Sequence, residues 1–174
     1  GFLIAAYLIL RGKGGGSDNG GGTGTGGGGT GGVSGNCDGT PILQVPATVL
    51  SWLPLVSQIS GLDSSDILAI IWQETSGVNG VRGQTCGGEI GLMQICPATA
   101  VGLGYSNPED LWDASKNIAA GTAYFREALS AAGNLFDAYR YYNGGPATLL
   151  NPSISEGYAC QVLQKSNSII NTVL

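Results

Sequence analysis

Ser64-Ser65-Asp66-Ile67-Leu68-Ala69-Ile70-Ile71-Trp72-Gln73-Glu74-Thr75 reads as one apolar helix, and it decides the fold class. Asp63 just ahead is a good N-cap, and Asp66 puts negative charge in the first turn, where the helix dipole favours it. Counting back from Glu74, Ile71, Ile70 and Ile67 lie at spacings of three, four and seven, so they stack on one face with the carboxylate. Leu68 and Trp72 cover much of the remaining surface, so the helix is expected to be buried nearly all round. A carboxyl group at the end of such a helix loses water, which disfavours its charged form and raises its pKa. A general acid working near neutral pH needs that property. The helix alone leaves two readings open: an acid held in a groove, or a helix-end cap facing solvent.

Outward from this stretch, other helical patterns follow. Thr48–Ser60 is expected to be a helix interrupted or bent near Pro54. Between Ser76 and Gly91 glycines recur, predicting loops with a short β-hairpin. Pro97 opens a short helix, and Asn107-Pro108 starts a turn. A long amphipathic helix runs from about Ala114 to Ala131, burying Ile118, Ala119, Thr122, Phe125 and Leu129. Leu135–Tyr142 forms another, stopped by Asn143-Gly144-Gly145-Pro146, and Ser155–Ile170 the last. No stretch alternates as a sheet strand would, so the domain is mainly α.

The chain has 174 residues and no histidine. That absence removes Ser-His-Asp and Cys-His nucleophiles and most catalytic zinc sites, leaving carboxylates as the acid–base groups. No cofactor is called for. The formal charge is −5 with no basic cluster, so a nucleic-acid footprint is missing.

Cys37, Cys86, Cys96 and Cys160 contain no Cys-x-x-Cys pair, which argues against structural zinc. Their even count suits two disulfides in an oxidising compartment. The preferred pairing is Cys86–Cys96, clamping a short loop, with Cys37–Cys160 tying the domain's ends. Four reduced thiols in a cytosolic protein is the alternative.

Ahead of this domain the composition changes twice. Residues 1–11 are almost purely apolar and end in Arg11, with Lys13 close behind; ten apolar residues are about half a membrane span. Because the chain starts at glycine, this run is read as the remnant of a membrane anchor, or failing that of a signal peptide. The two basic residues beside it sit awkwardly with the positive-inside tendency. Residues 12–35 are more than half glycine and are expected to form a flexible linker with a root-mean-square span of roughly 25–30 Å. Residues 36–174 have the size of one domain with a single core.

Four motifs occur in order: Gln73-Glu74-Thr75-Ser76-Gly77; Gly91-Leu92-Met93-Gln94-Ile95 followed by Pro97-Ala98-Thr99-Ala100; Asn117-Ile118 with Gly121; and Tyr142-Asn143 with Gly145. Together they resemble the soluble-lytic-transglycosylase family of the lysozyme-like superfamily, over roughly Leu50 to Pro146. The resemblance implies a lysozyme-like domain with its loop or hairpin region near the active-site groove. It also implies a lytic transglycosylase acting on the β-1,4 bond between N-acetylmuramic acid and N-acetylglucosamine. In this family a single glutamic acid, here Glu74, protonates the bridging oxygen. The substrate's N-acetyl group supports C1, and the muramic 6-hydroxyl closes the 1,6-anhydro ring.

On that reading Thr75, Gly91, Leu92, Met93, Gln94, Tyr142 and Asn143 bind substrate. The Gln94 amide faces a sugar, the Tyr142 hydroxyl orients the glutamate, and Asn143 anchors its loop. The family usually carries serine where Thr75 stands, and Ala-Tyr-Asn-Ala-Gly where this chain has Tyr141-Tyr142-Asn143-Gly144-Gly145. Glu89 stands where a small residue is common, either as an exposed loop charge or as a second carboxylate facing Glu74.

Three rivals remain: a hydrolase similar to goose-type lysozymes, a non-catalytic peptidoglycan-binding module, and a structural assembly component. Anchor, tether and small wall-cleaving domain resemble the transglycosylases of conjugation and type IV secretion machines. Such enzymes partner glycan strands and secretion machinery in the periplasm or cell wall.

Overall fold

The computed structural model describes residues 37, 40, 41 and 44–173. The apolar segment 1–11 and the linker 12–35 lie outside the described residues. Among the described residues, no helix is long and apolar enough to cross a membrane.

Short helices α1 (Ala47–Leu50) and α2 (Leu53–Ile59) lead into α3 (Ser64–Thr75). A loop reaches α4 (Pro97–Gly102), and a 3-10 turn (Pro108–Trp112) precedes α5 (Ala114–Ala132). Then come α6 (Leu135–Gly144), the short α7 (Ala147–Leu150) and α8 (Glu156–Val173). The domain is mainly α, as its patterning implies. Of the two outcomes expected near Pro54, an interruption or a bend, the structure has the interruption, with α1 and α2 as separate helices. Pro54 lacks an N–H, and its ring clashes with the carbonyl four residues back, which is that of Leu50, the last residue of α1. In place of a hairpin, the described part of the loop carries two isolated antiparallel bridges, Arg82 with Ile90 and Ile90 with Ile95. The turn of α7 is an element its sequence did not announce.

α3 is the axis of the domain. From Ile67 to Ile71 every residue is fully buried, each Ile or Leu adding roughly 1.5–3 kcal/mol of apolar transfer energy. Its most extensive partner is α8, while α6 packs on both α5 and α8. Phe125 of α5 and Tyr139 of α6 stack beside it, ring centres 5.4 Å apart and planes within 9°. At its start the Asp63 carboxylate accepts from the Ser65 amide at 2.9 Å, the cap expected from the sequence.

The end of α3 is fixed just as firmly. Ser76 takes a left-handed φ of 54°, and Gly77 follows at 81°. A side chain on Gly77 would lie 2.8 Å from the Thr48 carbonyl, so α1 can seat directly on this turn. Thr48 Oγ1 donates to the Ser76 carbonyl and Trp52 Nε1 to the Gly77 carbonyl, both at 2.9 Å. These bonds satisfy carbonyls the helix cannot serve itself, and they hold the turn carrying Glu74 still.

Buried Arg140 braces the connection from α6 to α8. Its guanidinium donates to Asp137 at 2.5 Å, to the Ile154 and Asn151 carbonyls at 3.0 and 2.6 Å, and to the Thr148 carbonyl. The disulfides Cys37–Cys160 and Cys86–Cys96 are both formed.

Candidate active site

Glu74 leaves α3 one residue before its end, partly buried, and faces a groove with a volume of about 260 Å³. Opposite it stands the loop wall Gly83–Cys86 with Glu89, Gln94 and Ile95; Tyr124, Tyr142 and Asn143 supply the helical side. The Tyr158 hydroxyl, from α8, donates to Glu74 Oε1 at 2.6 Å. Burial pushes the Glu74 pKa up to about 7. The Tyr158 hydrogen bond lowers it, the Glu89 charge raises it, and the Lys165 ammonium lowers it. Desolvation wins, so near neutrality a large share of Glu74 holds a proton it can donate. Burial also lifts Tyr142 and Tyr158 well above the ordinary phenol range, keeping both neutral and able to donate.

The four sequence motifs meet at one place, the Gly91–Gln94 turn. Thr75 Oγ1 donates to the Leu92 carbonyl at 3.0 Å. Buried Asn117 accepts from the Met93 amide at 2.8 Å and donates to the Ile90 and Leu111 carbonyls at 2.8 and 3.1 Å. Tyr142 donates to the Met93 carbonyl at 2.8 Å. Gly121 clears space for Met93, whose Cβ would lie 2.9 Å from any side chain placed there. Gly91 has φ 73°, and an added Cβ would sit 2.8 Å from the Leu111 carbonyl. Much of the motif pattern therefore builds the turn rather than touching the groove.

Several sequence expectations change accordingly. Leu92 and Met93 are fully buried and belong to the core, because the tight turn points them inward. Thr75 and Gly91 lie behind the groove wall, their close neighbours being protein backbone and Asn117. Gln94 does line the groove, but its amide nitrogen is committed to the Val81 and Gly91 carbonyls at 3.0 and 2.7 Å. Its left-handed φ of 47° marks a backbone held in a costly conformation beside the site.

Tyr142 lines the groove, yet its hydroxyl serves Met93; the phenol that orients Glu74 is Tyr158, which sequence reasoning missed. Asn143 accepts from Ser155 Oγ at 2.8 Å, tying the end of α6 to the start of α8. Glu89 is not merely an exposed loop charge. It lines the groove, and the Thr85 amide at 3.0 Å and the Thr85 hydroxyl both bind its carboxylate. Cys86, Cys96 and Glu89 cluster closely enough to suggest a metal site, but the two sulfurs are spent on each other.

A mainly helical fold built round one desolvated glutamate and a glycine-rich turn has known relatives. The family model described as Transglycosylase SLT domain matches residues 56–167. A transglycosylase of Enterobacteria phage PRD1 is 31% identical over 121 residues, an alignment covering 68% of this chain and 44% of that protein. The chain thus spans less than half the length of this curated relative. It belongs to the SLT transglycosylase family of the lysozyme-like superfamily.

Proposed function

We propose that this domain is a peptidoglycan lytic transglycosylase with Glu74 as its acid and base. The observation that carries the reading is a groove-lining glutamate whose carboxyl the Tyr158 hydroxyl holds in place at 2.6 Å, with burial pushing its pKa up to about 7. In the proposed reaction the Glu74 carboxyl gives its proton to the oxygen bridging N-acetylmuramic acid and N-acetylglucosamine. The C1–O bond breaks as the neighbouring acetamido oxygen bonds to C1. The resulting Glu74 carboxylate then takes the proton of the muramic 6-hydroxyl. O6 bonds to C1, the acetamido oxygen leaves, and Glu74 is again protonated. No water is consumed, and one protein carboxyl suffices, unlike in two-carboxylate glycosidases.

Glu89 supports the rival reading, a muramidase in which a second carboxylate activates water, because it lines the same groove. Its engagement by Thr85 favours a fixed electrostatic role instead. Digestion of purified peptidoglycan with mass analysis of the sugar ends separates the two. Anhydromuramic ends support transglycosylation, and reducing muramic ends with one added water overturn it. Glu74→Gln with undiminished cleavage would overturn the acid assignment itself.

The disulfides and a wall polymer as substrate favour an extracytoplasmic setting. The apolar segment 1–11 and glycine-rich residues 12–35 suit a domain tethered at a membrane, as in conjugation or type IV secretion. Fractionation of cells expressing the chain with and without residues 1–11 tests that placement.

A further inference from the structure

Tyr158, Gln161 and Lys165 stand at i, i+3 and i+7 on α8, one stripe facing the end of α3. Tyr158 reaches Glu74. Gln161 accepts from the Gln73 amide at 2.9 Å, which turns the Gln73 carbonyl toward Lys165. Lys165 Nζ donates to that oxygen at 2.5 Å and sits 5.5 Å from the centre of the Trp72 ring. The ammonium is therefore braced on the two residues that precede Glu74, and its hydrogen bond goes to a neutral amide. Its charge is left to act through space on Glu74, the next residue along α3.

We infer that Lys165 is a positioning residue for the proton of Glu74. From α8 it counterbalances the negative charge that Glu89 brings from the groove loop. The inference rests on the reading of Glu74 as the acid. The titratable groups around Glu74 are Tyr158, which bonds to it, Lys165, whose charge reaches it from α8, and Tyr142, Tyr124 and Glu89, which line the same groove. The phenols stay neutral, so the two opposed charges are those of Lys165 and Glu89. Lys165 lowers and Glu89 raises the pKa of Glu74, while Glu74 in turn raises that of half-buried Lys165 against its own desolvation. An acid must be protonated to act, so the ammonium limits how far into alkaline pH the enzyme works.

The test is direct titration of the Glu74 carboxyl by carbon-13 NMR in the wild type, Lys165→Met, Lys165→Arg and Glu89→Gln, alongside pH–rate profiles on purified peptidoglycan. Lys165→Met should move the Glu74 titration and the alkaline limb upward by about half a pH unit, roughly a threefold change in the protonated fraction there. Lys165→Arg should restore the wild-type titration, and Glu89→Gln should shift it downward. An unmoved Glu74 titration in Lys165→Met, with the fold intact by circular dichroism, overturns the inference. If Lys165→Met does not fold, Lys165→Gln carries the same comparison. A shifted titration with an unshifted rate profile would instead unseat Glu74 as the acid, so the two readings fail separately.

Discussion

Tyr158 Oη and Glu74 Oε1 lie 2.6 Å apart across 84 residues of sequence, joining the last helix of the domain to the end of its central one. Desolvation lifts this partly buried phenol well above its ordinary pKa range, so it stays neutral and donates, fixing the rotamer of the carboxyl group. Tyr158→Phe keeps the ring and removes only that bond. Because the bond favours the charged form, its loss should raise the Glu74 pKa further, and kcat should fall about tenfold through lost orientation. Stability should change by no more than about 1 kcal/mol. Steady-state rates beside thermal melts check both halves.

Glu74→Gln should lower turnover by on the order of 10²–10⁴, the usual worth of a general acid. Its effect on stability is equally diagnostic. The folded pKa of about 7 exceeds the ordinary 4.5, so the folded protein binds more protons between those values than the unfolded chain. Stability therefore falls as pH rises through that window, by up to about 3 kcal/mol from this group. The glutamine variant should lose that dependence and gain on the wild type toward pH 8. Buried Asp66, raised to about 6 mainly by burial, adds a slope of the same sign between about 4 and 6. Denaturant melts of both proteins from pH 4 to 8 separate the two contributions.

Much of this was legible beforehand because it is local. The spacing of Ile67, Ile70 and Ile71 from Glu74 announced a buried helix, since helical periodicity needs only twelve residues to declare itself, and the downstream motifs then favoured a groove acid over a helix-end cap. Pro54 announced a break. Tyr158 was not legible. It is one aromatic residue in an amphipathic helix, and nothing in its neighbourhood names a partner 84 positions away. Leu92 and Met93 misled for another reason. Their place in a motif says that they matter, but the inward direction of their side chains comes from the turn, which Asn117 and Gly121 set from a distant helix.

Gly91→Ala tests that turn. The residue needs φ 73°, and its Cβ would press on the Leu111 carbonyl and the Asn117 amide, neither able to retreat without breaking hydrogen bonds. A loss of about 3 kcal/mol or more is expected, with cleavage activity falling in parallel as the groove wall shifts. Chemical denaturation reads the first, and turbidity loss of a wall suspension the second.

Removing the Cys37–Cys160 bridge by paired serine substitution should cost up to roughly 5 kcal/mol, because it frees a loop of 123 residues in the unfolded chain. Removing Cys86–Cys96, with a separation of 10, should cost about 3 kcal/mol while loosening the wall that carries Glu89. Melts under matched oxidising conditions rank the two.

The longer bridge also decides how a pull on the chain ahead of Cys37 would enter the domain. Cys160 lies two residues beyond Tyr158 on α8, so a pull on the chain ahead of Cys37 crosses sulfur to that helix at once. Tension need not travel through α1 and α2, whose packing caps the turn after Glu74. Such a pull would load the helix that supplies the acid's phenol partner, two residues from the pairing of Tyr158 with Glu74.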